Sequence, residues 1–145
     1  MNNIRSALVA FYILLVAVSA NAETRSAEVS YMLQCQGCHT PSGAGVADRV
    51  PSFVGMLGNF LMVDGGREFL IQVPGAAQSS LSDKELAQVS NWMLQKFSPA
   101  QVPDDFVPYT ASEVGQLRQK PLVRVAEVRR KLLELMTEQG VNTAI

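Results

Sequence analysis

The 145 residues, 48% of them hydrophobic and 17% charged, suffice for one ordinary globular core and exclude several large domains. Twelve basic residues against 13 acidic ones leave no basic excess, which argues against nucleic acid as a partner.

At the N-terminus, Met1 to Asn3 carry no charge, Arg5 gives a short positive region, and Ala7 to Val18 is almost wholly apolar. Ala20-Asn21-Ala22 then supplies a small-x-small cleavage pattern. A membrane span needs about 20 apolar residues, so residues 1–22 read as a signal peptide, with an uncleaved anchor as the alternative. Cleavage after Ala22 leaves residues 23–145, with 11 basic and 13 acidic residues. The expected compartment is the periplasm, and no second apolar run follows to cross a membrane.

Ala27, Tyr31 and Cys35 recur at i, i+4 and i+8, with Met32 and Leu33 beside them, and predict a helix. It leads into Cys35-Gln36-Gly37-Cys38-His39, which holds both cysteines and the single histidine of the chain. C-x-x-C-H is the attachment pattern of c-type haem. Two thiols three residues apart share one face of a helical turn and can add to the two vinyl groups of one porphyrin. His39 then lies below the ring, where its imidazole can ligate iron. A dithiol redox centre would follow a strand, and none precedes Cys35. A zinc site would need further ligands, and a structural disulfide would leave His39 without a role. The lone histidine excludes bis-histidine ligation from within the chain and a second haem of this type.

Pro41, Gly43, Gly45, Pro51, Gly55, Gly58 and Gly65-Gly66 predict loops wrapped on the cofactor over residues 40–66. Arg67 to Val73 reads as a short helix ended by Pro74-Gly75. Ser82-Asp83-Lys84-Glu85 is a capping box, and behind it Leu86, Val89, Met93 and Phe97 form a buried helical stripe flanked by Trp92. Pro99, Pro103 and Pro108 predict an extended connection, and Thr110 to Glu113 a second capping box. Helices follow at about 111–119 and 122–138, the latter with Leu122, Val125, Val128, Leu132, Leu135 and Met136 as its apolar stripe. The expected architecture is all-α: a small haem domain over 23–98, then a proline-rich connection and two extra C-terminal helices over 99–145.

In this order the pieces resemble the class I cytochrome c family over roughly residues 27–97. Ala27-x-x-x-Tyr31-x-x-x-Cys35-x-x-Cys38-His39 is similar to that family's N-terminal helix, and Trp92 to the aromatic that packs across it. Pro51-x-x-x-Gly55 resembles its proline segment, which implies that the Pro51 carbonyl holds Nδ1–H of His39. The family's distal methionine usually lies about nine residues ahead of the last helix, a place held here by Val73-Pro74. Met62, in the apolar run Phe60-Leu61-Met62-Val63, is the candidate distal ligand, with Met56 and an open site as alternatives. The resemblance implies one-electron transfer rather than catalysis. Alternatives are a haem subunit of a larger dehydrogenase or oxidase, or a five-coordinate protein binding small ligands.

Between Arg118 and Lys131 lie Arg118, Lys120, Arg124, Arg129, Arg130 and Lys131 against Glu127 alone. This segment is either the solvated face of a packed extension or a docking element for an acidic redox partner.

Overall fold

The computed structural model describes residues 25–141, so the leader over 1–22 lies outside the described residues. Among the described residues the regular elements are all helical. They are α1 (Ala27–Gln34), α2 (Gln36–His39), a 3-10 turn (Leu57–Met62), α3 (Gly66–Gln72), α4 (Pro74–Ala77), α5 (Asp83–Phe97), a second 3-10 turn (Pro99–Gln101), α6 (Ala111–Leu117) and α7 (Val125–Glu138).

Helix α1 opens where the Ser26 hydroxyl accepts the Val29 N–H. It breaks at Cys35 (φ −122°), and the chain restarts as the single turn α2 that carries Cys38 and His39. Helix α5 opens on a complete capping box: Ser82 Oγ accepts the Glu85 N–H, and the Glu85 carboxylate accepts the Ser82 N–H at 2.9 Å. Helices α1 and α5 cross on three rings. Tyr31 lies 5.4 Å from Trp92 and 5.1 Å from Phe97, and Trp92 meets Phe97 edge-on at 5.6 Å. Such aromatic pairs add about 0.5–1.5 kcal/mol each beyond the area they bury.

Among the described residues two clusters make the core. The larger joins Tyr31, Ile71, Leu86, Val89, Leu94, Phe97 and Val114 from α1, α3, α5 and α6. The smaller joins Met56, Phe60, Val63 and Phe69 to Leu132 and Met136 of α7, so the C-terminal helix closes its own sector of the core.

The structure departs from the sequence reading at several boundaries. The 40–66 stretch is not loop throughout, because Leu57–Met62 coils into a 3-10 turn that buries Leu57, Asn59 and Phe60. The helix ahead of Pro74 does end there, at Gln72, but Pro74-Gly75 is not a loop. Pro74 begins α4 at the first helical position, where its missing N–H costs nothing. The second capping box is half made: Thr110 Oγ1 accepts the Glu113 N–H, but the Glu113 carboxylate is taken by Arg67. Helix α7 begins at Val125 rather than 122: Arg124 is non-helical at φ −108°, ψ 61°, and the Leu122 N–H ties the preceding segment to the Gln72 carbonyl at the end of α3. Met32 and Leu33, beside the Ala27–Tyr31–Cys35 series, are 54% and 61% exposed.

Candidate cofactor site

Cys35, Cys38, His39 and Pro51 converge on one cavity of about 400 Å³. Leu57, Phe60, Val89 and Leu94 are among its apolar walls. Backbone geometry places the three reactive side chains. Helix α1 delivers Cys35 at its C-cap, and the one-turn α2 carries Cys38 and His39 round to the same opening. The next residue, Thr40, takes φ +62°, uncommon for a β-branched residue, and the Tyr31 hydroxyl donates to its carbonyl at 2.6 Å. The core therefore holds the backbone bend that aims His39.

His39 Nδ1 lies 3.2 Å from the Pro51 carbonyl. With Nδ1–H donated there, Nε2 carries the free lone pair. The Phe53 ring stacks on the imidazole at 3.7 Å, fixing its plane. Burial pushes the proton affinity of His39 down, and the hydrogen bond to the Pro51 carbonyl raises it in part. Burial, and then the neighbouring Cys38, raise the Cys35 thiol to about 11, so at neutral pH it is uncharged.

These residues fit a flat apolar macrocycle joined at two thiols and ligated by one imidazole. The cavity supplies the apolar volume, and Cys35, Cys38 and His39 are all among the residues that line it.

Met62 does not join them. It ends the first 3-10 turn with 42% of its surface exposed and does not line the cavity. The 3-10 winding buries Leu57 and Phe60 and turns Met62 outward. The methionines in the cavity wall are Met56, 3% exposed, and Met93, a member of the α5 core stripe. Met56 follows Phe53 within one turn, its N–H bonded to the Phe53 carbonyl, and its sulfur accepts from Asn59 Nδ2. The connection between α3 and α5 lines the cavity with Val73, Pro74, Ala76, Ser79 and Leu81, none of them an iron-binding type.

Three contributors escaped the sequence reading. Phe53 carried no periodic signal. Arg118, counted among the docking charges, is turned inward. Its guanidinium donates to the carbonyls of Ala77, Ser79 and Leu81 and pairs with Asp83, clamping the connection that walls the cavity. Arg129 lines the cavity from α7. Its spacing was legible: Val125, Arg129, Leu132 and Met136 share one helix face.

No protein-family model matches the chain. The chain is similar to a cytochrome c-552 of Thermus thermophilus, 33% identical over 119 residues that span 68% of this chain and 91% of the relative. A second cytochrome c-552 of that species matches at the same identity, with 80% of its length covered.

Proposed function

The chain belongs to the c-type cytochrome family, and from that premise we propose that it is a periplasmic class I monohaem carrier passing single electrons between redox proteins. Covalently attached haem c supplies an iron that cycles between ferrous and ferric states. Cys35 and Cys38 would hold the ring through their thiols, and His39 would offer Nε2 to the iron. The observation that carries this reading is the 3.2 Å contact from His39 Nδ1 to the Pro51 carbonyl at the cavity that also receives both thiols. That bond orients the imidazole and raises its basicity, which serves electron transfer by keeping the ligand in place across oxidation states. Expression with haem-maturation machinery should yield one covalent haem per chain by pyridine haemochrome assay. Cys35→Ala with Cys38→Ala should yield none, and a doubly substituted chain that still held haem covalently would refute the assignment.

Docking is proposed at the basic segment 118–131, with its cationic surface reduced to what the fold leaves outside. Arg118 is internal, and Arg124 and Lys131 both pair with Glu127. No helix among the described residues is long and apolar enough to cross a membrane, in keeping with a periplasmic carrier.

A second reading concerns the far face of the iron. Met56 lies one turn from the ring that stacks on His39, and the residues by which the α3–α5 connection lines the cavity include no usual iron ligand. We propose that the sixth position is open to a small strong-field ligand such as CO or cyanide. The ferric protein is then high-spin and takes up cyanide without a slow ligand-displacement phase. A low-spin spectrum with a far-red sulfur-to-iron band, abolished by Met56→Leu or Met93→Leu, would reject the open site and locate the sulfur.

A further inference from the structure

We propose that Arg129 binds a propionate carboxylate of the haem, so that helix α7 is tied to the cofactor as well as to the protein core. The inference rests on the cytochrome reading above and adds to it a residue outside the Cys35–His39 run.

The argument starts from the charge of the cavity wall. Among the described residues lining the cavity, Arg49 and Arg129 carry positive charge, and no Asp or Glu contributes. An apolar cavity bounded by cations alone suits a ligand that is apolar in its body and anionic at its edge, because a buried charge needs a partner. Haem is such a ligand: a planar ring with two carboxylates on one side.

Arg129 differs from the cations around it. Arg124 and Lys131 pair with Glu127 at 3.2 Å each, and Arg130 pairs with Glu134 at 2.6 Å. Arg129 has no carboxylate within ion-pair distance among the described residues, although α7 carries Glu127, Glu134 and Glu138. It shares the inward face with Val125, Leu132 and Met136, of which the last two are buried. A half-buried guanidinium on an apolar helix face has lost water without gaining an anion, and burial accordingly lowers its proton affinity. A carboxylate in the cavity supplies the missing anion, and arginine's planar fork suits it in two-pronged fashion.

The expected consequence is electrostatic. A cation beside a propionate offsets negative charge that would otherwise favour ferric iron, so removing it lowers the midpoint potential. The haem-loaded full chain is the material, with Arg129→Gln, Arg129→Lys and Lys131→Gln as variants. Lys131 is an exposed control of equal charge on the same helix. Arg129→Gln should lower the potential, Arg129→Lys should restore most of it, and Lys131→Gln should shift it much less. Equal shifts in Arg129→Gln and Lys131→Gln would reduce the effect to net charge and overturn the proposal. So would an unchanged potential in Arg129→Gln, or an Arg129→Lys variant that is soluble and haem-loaded yet no closer to wild type than Gln. A wild-type chain that takes up no haem would instead overturn the cytochrome reading itself.

Discussion

At the scale of single residues, the site depends on a few bonds that hold the backbone around His39. Thr40 sits at φ +62°, a conformation that costs a β-branched residue about 1–3 kcal/mol. It is kept there by the Tyr31 hydroxyl on its carbonyl and by its own N–H on the Gln36 carbonyl. Tyr31→Phe keeps the ring contacts to Trp92 and Phe97 but removes the hydroxyl. It should cost about 1 kcal/mol in denaturant unfolding of the haem-loaded protein. Thr40→Gly, which relieves the strain, should recover part of that loss in the double variant. Gly43 is a second fixed point. At φ +77°, with an added Cβ only 2.6 Å from the Phe97 ring, it has no room for a side chain. Gly43→Ala should therefore displace the loop that leads to Pro51, seen as a lowered unfolding midpoint.

At the scale of elements, arginines join segments distant in sequence. Arg67 on α3 makes a two-pronged pair with Glu113 on α6, at 2.6 and 2.8 Å, while lying over the Tyr109 ring at 4.1 Å. The guanidinium's hydrogen bonds hold the Glu113 carboxyl below its usual range, outweighing the opposing effect of burial. A carboxylate whose folded value is depressed stabilises the fold above its unfolded value near 4.5, and that contribution disappears as pH falls through the folded value. Glu113→Gln should cost about 1–3 kcal/mol at pH 7. The gap between wild type and variant should narrow once the pH drops below about 4.5, measured by denaturant titration at several pH values. A gap constant with pH would mean that the carboxylate's charge contributes nothing. Arg118 works similarly, closing three carbonyls of the α4–α5 connection. Arg118→Met should strand them and loosen the cavity wall, giving faster amide exchange between Ala77 and Leu81.

At the scale of the whole molecule, α7 is a structural part of the core as well as the carrier of the outer basic residues, since Leu132 and Met136 pack in one cluster with Met56, Phe60 and Phe69. Leu132→Ala should cost about 2–5 kcal/mol, measured by chemical denaturation of the haem-loaded protein. The chemistry of attachment is legible in the primary structure: the run Cys35 to His39, two thiols and the only imidazole at fixed spacing, admits little else, because covalent geometry within one turn is local. The all-helical class and α5 are legible for the same reason, since a capping box and an apolar period are local signals. Packing alone settled which methionines reach the cavity, that Pro74 begins a helix, that Glu113 answers Arg67, and that Arg118 and Arg129 face inward. These outcomes turn on which way a helix face or a turn points once neighbouring segments have come together. Met62 shows the limit most plainly: the apolar run around it signals burial, but a 3-10 turn can bury Phe60 only by turning Met62 outward. Periodicity identifies what wants to be inside, whereas packing decides which side chains line the cavity.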